Sequence, residues 1–247
     1  MILYLDVGNS RLKWAVGRLD GDWQASGDWS LDAPIDAEMA RSWSKLEPPQ
    51  RVVASIVAPA PVGEAVRAWC RGAWGREPTV VRPAASAHGV VNGYADPGQL
   101  GVDRWVALVA ARALAQGAAC IVDCGTAVTV DALDGDGHFV AGAILPGLEL
   151  SRRALLRGTS RVRPHDGGSP DLRARDTAQA VAAGVLVGLG GAVDRLIESM
   201  LVIVGGRATT FLTGGDAAVL APELRHCVQP CPDLVLRGLR VIAGGRA

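Results

Sequence analysis

Lysine is nearly missing from this chain. Of 25 basic residues in 247, only Lys13 and Lys45 are lysines and the rest are arginines. That bias makes a lysine inside the first motif notable. Net charge is missing too: 25 basic side chains balance 25 acidic ones. No broad field therefore draws in nucleic acid or anionic lipid, and a small ligand held by local charges fits better. A disulfide framework is excluded by the five cysteines, Cys70, Cys120, Cys124, Cys227 and Cys231, which are odd in number and irregularly spaced. Cys227 and Cys231 lie near His226, but no second ligand pair follows at zinc-site spacing. The expectation is reduced, structural thiols. His88, His138, His165 and His226 show no ligand spacing either. The longest apolar region, 178–206, is broken by Asp194, Arg195, Glu198 and several glycines, so no membrane span is expected. No basic, apolar and small-residue leader precedes the first strand pattern, and a cytoplasmic protein is expected.

What is present is a globular composition, 49% hydrophobic, long enough for one large domain or two ordinary ones. An apolar strand reaches Asp6, turns at Gly8 through Asn9 and Ser10, and resumes to Val16. Such a turn can be merely a turn, because Gly and Asn tolerate positive φ. It can also aim N–H groups and hydroxyls at an oxyanion such as phosphate. Asp6 would then need a divalent cation beside it. A third strand is expected over 23–31, a helix over 33–46, a strand over 51–57, a helix over 61–73 and a strand near 79–81. The alternation is α/β.

Residues 86–101 are rich in Gly, Asn, Asp and Pro and read as an ordered functional loop containing Tyr94. Gly101, Val102, Asp103 and Arg104 then lead into a helix expected over 104–116, which offers an acid and a base at its start. A helix-start acid could be only a favourable charge on the helix dipole. From 120 to 133 the chain repeats its opening: Asp6 matches Asp123, Gly8 matches Gly125, Asn9 matches Thr126 and Ala15 matches Ala132. Each half continues through a Gly/Asp turn to another strand, here 138–145, so the pattern is an internal duplication. Later elements are a helix over 148–157, a Gly/Pro/Arg-rich loop over 158–173, a long helix from Asp176-Thr177 to about 204, a strand over 209–213 ending in Gly214-Gly215-Asp216, a short helix over 217–220, a strand over 223–228 and a last helix over 234–242. Glycines 184, 188, 190 and 191 fall within the long helix, where close helix packing is expected in place of a dinucleotide fingerprint.

The duplicated halves resemble the superfamily of sugar kinases, actin and heat-shock ATPases. The resemblance implies two duplicated RNase H-like, actin-like ATPase domains, 1–116 and 117–247, with a nucleotide cleft between them. Four ordered stretches, Asp6 to Lys13, Gly101 to Arg104, Asp123 to Thr129 and Asp176-Thr177, are similar to the type III pantothenate kinases. That likeness implies ATP-dependent phosphorylation of the primary hydroxyl of pantothenate to 4'-phosphopantothenate, the first step of coenzyme A synthesis. It implies that Asp6, Val7, Gly8, Asn9, Ser10, Arg11, Leu12 and Lys13 hold the ATP phosphates, with Asp6 toward Mg2+ and Thr126 adding a hydroxyl. Asp103 would be the general base. Tyr94, Gly101, Val102, Asp103, Arg104 and Thr177 would line the pantothenate site, Thr177 from across a homodimer. Asp123 would hold a monovalent cation, K+ or NH4+. The other readings are a kinase of the same fold acting on a sugar or small acid, and a nucleotide-binding regulator without catalysis.

Overall fold

Leu3, Leu5 and Val7, then Leu12, Trp14 and Val16, alternate with residues of the opposite face, the period that buries one side of a β-strand. In the computed structural model, which describes residues 1–159 and 170–245, they form β1 (Ile2–Val7) and β2 (Arg11–Gly17). There follow β3 (Ala25–Ser30), α1 (Ile35–Trp43), β4 (Arg51–Ile56), α2 (Ala60–Trp74) and β5 (Thr79–Val80). The sheet order is β3-β2-β1-β4-β5, antiparallel on the β2 side and parallel through β4 and β5. Met39 and Trp43 of α1 with Val66 and Cys70 of α2 cover the apolar face. Trp43 is fully buried there, with the rings of Trp29, Trp74 and Trp14 centred 5.2, 5.9 and 6.4 Å away.

Residues 86–101 hold a two-rung hairpin, β6 (Ser86–Ala87) with β7 (Val90–Val91), and a 3-10 turn at Pro97–Gln99. The helix α3 (Val102–Leu114) begins two residues earlier than the sequence suggested, so Asp103 and Arg104 lie inside its first turn.

The second half rebuilds the first sheet. β8 (Ala119–Cys124), β9 (Ala127–Leu133), β10 (Phe139–Pro146), β11 (Thr209–Thr213) and β12 (Gln229–Pro230) lie in the order β10-β9-β8-β11-β12 with the same directions. Between β10 and β11 run α4 (Leu148–Gly158) and α5 (Thr177–Ile203). Part of the loop expected over 158–173, including His165, lies outside the described residues. By length and composition α5 could cross a membrane. Its Leu189, Val193, Ile197 and Met200 are nevertheless buried against Cys120, Val122, Val128 and Val130 of the sheet. Among its four glycines Gly190 is crowded, where a Cβ would lie 2.6 Å from Glu223 Cβ; at Gly184, Gly188 and Gly191 none of the described residues lies within 4 Å of a Cβ, so the expected close packing is seen at Gly190 alone among the described residues.

Two expectations change. The strand expected over 223–228 is absent: Arg225 and His226 donate their N–H groups to the Asp194 carboxylate of α5, at 2.9 and 3.0 Å, in place of a strand neighbour. After α6 (Ala217–Leu220), pairing resumes only at β12. The chain forms two compact units, Met1–Leu114 with Asp233–Ala247, and Ala115–Pro232. The terminal helix α7 (Leu234–Ala243), expected with the second half, therefore belongs to the first unit. A Cβ on Gly238 would lie 2.7 Å from Val106 Cγ1, so the missing side chain lets α7 press against α3. Trp23 Nε1 donates to Asp233 at 2.7 Å, and the Arg240 guanidinium lies 3.4 Å from the Trp23 ring centre.

Candidate active site

The alternation that buries Leu5 and Val7 turns Asp6 to the other face of the first sheet, at the end of β1. Its register partners are Lys13 on β2 and Ser55 on β4, and Lys13 is paired in turn with Asp28 on β3. The row Asp28, Lys13, Asp6, Ser55 thus crosses four strands on one face. Beyond it the chain turns through Gly8, Asn9 and Ser10, closed by Gly8 N–H to Arg11 O at 3.0 Å. A Cβ on Gly8 would lie 3.0 Å from that same oxygen, so the turn is drawn as tight as glycine permits. Asn9, Ser10 and Arg11 are exposed, and Arg11 is ion-paired with Asp28. Val7 and Leu12 are fully buried in the core, so only their backbone is offered to a ligand.

The second hairpin has the same design with one residue fewer. Asp123 is in register with Thr129 on β9 and Thr213 on β11. Only Gly125 and Thr126 separate β8 from β9, against three residues in the first turn. The position-for-position match therefore fails beyond the turn: Lys13 corresponds to Thr129, and Ala15 to Asp131 in place of Ala132. The short tip is braced on two sides. Gly147 N–H donates to Thr126 O at 3.0 Å, and Asp216 N–H to Cys124 O at 2.9 Å. Neither Gly147 nor Gly214 has room for a Cβ, which would collide with the backbone of Gly125 and Cys124 respectively. Gly214 also has φ of +99°, which favours glycine there on conformational grounds. Burial pushes the Cys124 thiol up to about 12, with the charges of Asp123 and Asp216 adding to the shift.

The loop before α3 assembles the third group. Arg104, with 7% exposure, donates Nη1–H to Tyr94 Oη at 2.9 Å. Asp103 Oδ1 accepts the N–H of Arg104 at 2.8 Å, a bond that orients the carboxylate at the helix start. A Cβ on Gly101 would stand 2.6 Å from Asp103 Oδ1, so glycine leaves the space that the carboxylate uses. Val102 is the first helical residue and is half-buried. The residue that the sequence reading missed is Asn92. It is buried, donates Nδ2–H to Ala84 O and Pro97 O, both at 3.3 Å, and accepts Tyr94 N–H at 3.0 Å. Its signal was present only as one more loop-forming Asn. Thr177 is exposed at the first position of α5, after the cap in which Asp176 Oδ1 accepts Gln179 N–H at 2.8 Å. Each hairpin by itself offers a carboxylate and a hydroxyl, Asp6 with Ser10 in the first unit and Asp123 with Thr126 in the second, oxygen donors of the kind that suit hard cations and Mg-bound phosphate.

Two sheets of one topology, each with an Asp-x-Gly hairpin at its centre, define the actin-like ATPase fold shared by sugar kinases. The ethanolamine utilization protein EutJ from Carboxydothermus hydrogenoformans aligns with TM-score 0.57 and 16% identity, covering 97% of this chain and 88% of that one. The activator of 2-hydroxyisocaproyl-CoA dehydratase from Clostridium difficile, solved with bound ADPNP, aligns with TM-score 0.53 and 13% identity over 98% and 93% of the two chains. The family model for type III pantothenate kinase matches residues 2–199. A type III pantothenate kinase of Halorhodospira halophila is 44% identical over 245 residues, 97% of this chain and 96% of its own. The chain belongs to the type III pantothenate kinase family.

Proposed function

We propose that this enzyme transfers the γ-phosphoryl group of ATP to the primary hydroxyl of pantothenate, giving 4'-phosphopantothenate for coenzyme A synthesis, with Asp103 as general base. Family membership over nearly the whole chain supports the reaction. The observation that carries the residue assignment is the cluster of Asp103, Arg104 and Tyr94. Phosphoryl transfer needs positioned phosphates, an in-line hydroxyl and a group to accept its proton. In the first unit, the Gly8 to Ser10 turn and Lys13 hold phosphate, and Asp6 faces its Mg2+. In the second, Thr126 adds a hydroxyl, and Asp123 with neighbouring threonine hydroxyls holds K+ or NH4+. Bound Mg2+ supplies charge neutralisation at the phosphates. Asp103 takes the hydroxyl proton, while Arg104, held by Tyr94, answers the negative charge of the acceptor.

The partner in this reading is a second copy of the chain. Apolar Leu150 and Leu155 of α4 and Val187 of α5 remain exposed, and Thr177 opens the same α5. A homodimer covering that surface would let Thr177 reach the partner's pantothenate. The enzyme works in the cytoplasm, away from membrane and nucleic acid.

The test is ADP release by purified protein with and without pantothenate, in sodium or potassium as sole monovalent cation, beside a panel of sugars. Pantothenate-dependent turnover is expected, stimulated by potassium; turnover of sugars alone would overturn the reading. Asp103→Asn should lower kcat by about 10²- to 10⁴-fold, the range for loss of a general base, while ATP still binds. Unchanged turnover in that variant would remove Asp103 as the base.

A further inference from the structure

Ser55 is fully buried, and its hydroxyl is one of the few buried polar side-chain groups among the described residues with no hydrogen-bond partner. A buried hydroxyl left unpaired costs folding free energy, and alanine would fill nearly the same space without that cost. Its place in the fold suggests why a serine stands there. Parallel pairing sets Ser55 directly beside Asp6, on the same face of the sheet, at the end of the strand pair where the first hairpin turns. In-register neighbours on adjacent strands have Cβ atoms about 5 Å apart, so a change of one side-chain torsion brings a serine hydroxyl onto a carboxylate.

The duplicated sheet carries the same arrangement independently. Asp123, the counterpart of Asp6, has Thr213 in register on the corresponding parallel strand, and Thr213 is buried too. Each hairpin acid thus has a buried hydroxyl residue at its side, on β4 in one unit and β11 in the other. The residues on the opposite side of the two acids differ, Lys13 in one sheet and Thr129 in the other.

We propose that Ser55 is a positioning residue for Asp6: when Mg-nucleotide binds, the Ser55 hydroxyl donates a hydrogen bond to the Asp6 carboxylate and fixes which oxygen faces the cation. The proposal rests on the reading of Asp6 as the Mg-phosphate residue. Ser55 itself touches neither nucleotide nor pantothenate. Its hydroxyl is held in reserve in the ligand-free protein, at a cost in stability, and is used when Asp6 turns to its ligand.

The experiment compares wild type, Ser55→Ala, Asp6→Asn and the double variant. It measures thermal unfolding without ligand, Mg2+-dependent ADP binding by calorimetry, and the KM for pantothenate. Ser55→Ala should unfold at the same or a higher temperature than wild type. It should require about tenfold more Mg2+ for half-maximal ADP binding, the worth of one hydrogen bond to a charged group, with the pantothenate KM unmoved. In the Asp6→Asn background it should add nothing, since its effect passes through Asp6. An unchanged Mg2+ requirement in Ser55→Ala, whatever its unfolding temperature, overturns the proposal. If Asp6→Asn also leaves the requirement unchanged, the reading of Asp6 fails with it; if Asp6→Asn raises it, Ser55 alone was misassigned.

Discussion

Substituting Gly147 by alanine tests whether the second hairpin is a rigid part of the nucleotide site. Gly147 has φ of −70° and ψ of 178°, which any residue adopts, so the substitution is not a strain on its own backbone. The obstacle is space. The new Cβ would lie 2.7 Å from Thr126 O, and nearer still to Gly125 O. Ordinary carbon contacts are about 3.5 Å or more, so relieving the nearer contact, to Gly125 O, requires the tip or the segment before α4 to shift by about 1 Å or more. The tip cannot retreat freely, because Gly214 is pressed against Cys124 from the other side and Asp216 N–H is bonded to Cys124 O. Overpacking of this kind costs about 1–3 kcal/mol of stability. A misplacement approaching 1 Å in a positioning element costs up to about 10²-fold in rate. Steady-state kinetics with ATP as the varied substrate, on protein shown by thermal unfolding to be folded, should therefore give kcat/KM for ATP lower by about 10- to 100-fold. Wild-type ATP kinetics in Gly147→Ala would refute the assignment of Thr126 and its turn to the nucleotide site.

Tyr94→Phe keeps the ring and removes only the hydroxyl that holds Arg104, so the KM for pantothenate should rise about tenfold while the KM for ATP stays put; equal effects on both substrates would contradict the placement of Arg104 at the acceptor. Hydrogen bonds from Arg152, then Arg153, outweigh desolvation and hold the Glu149 carboxyl down at about 2, from an ordinary 4.5. Because the folded value is depressed, its stabilising contribution is complete above 4.5 and disappears as pH falls through about 2. With half of that side chain exposed, Glu149→Gln should cost under about 1 kcal/mol at pH 6. An NMR titration placing the Glu149 midpoint at its ordinary value would refute the pairing. Burial pushes the thiols of Cys70, Cys120 and Cys124 up to about 12 each, whereas Cys227 is exposed. Iodoacetamide at pH 8 should label Cys227 in the native protein well before those three, and early labelling of Cys120 or Cys124 would show the second sheet to be open.

The duplication was legible in sequence because it is written in strands, where apolar alternation and an acid before a glycine mark the same point twice. Its register was not. One residue is missing from the second turn, and Ala15 and Ala132 coincide at the offset that ignores this; only backbone pairing shows that Ala15 lies opposite Tyr4 as Asp131 lies opposite Ile121. Position along the chain also misled for α7, which follows β12 in sequence but lies with the first unit, its Leu234, Leu236 and Leu239 buried there. The strand expected over 223–228 does not form, because the N–H groups of Arg225 and His226 are claimed by the side chain of Asp194, thirty-odd residues away in sequence. Asn92 escaped for a similar reason: its weight comes from three hydrogen bonds that bind Ala84, Tyr94 and Pro97 together, and no spacing rule announces them.

The two hairpins share one plan and differ in ways that fit the tasks proposed for them. The first has a three-residue tip, Gly8 to Ser10, in which Asn9 and Ser10 are exposed, and the crowding at Gly8 comes from Arg11 O at the start of β2. Ser10 O accepts Leu31 N–H at 2.9 Å, and on the proposed reading the exposed side chains of this tip meet the nucleotide phosphates. The second has a two-residue tip fixed by Gly147 on one side and by Gly214 and Asp216 on the other. A tip so fixed is suited to holding an ion or a hydroxyl in constant geometry, where the gain comes from preorganisation and not from closure. The charges diverge in the same sense. The row through Asp6 contains Lys13 and Asp28, whose charges can answer a ligand that arrives with several of its own. The row through Asp123 contains Thr129 and Thr213, neutral oxygen donors around one carboxylate, which matches a singly charged cation better than a phosphate. On the proposed reading the shorter second turn and Thr129 in the place of Lys13 go together: one hairpin is built to hold phosphate and the other to hold a cation, each with a hydroxyl residue beside its acid.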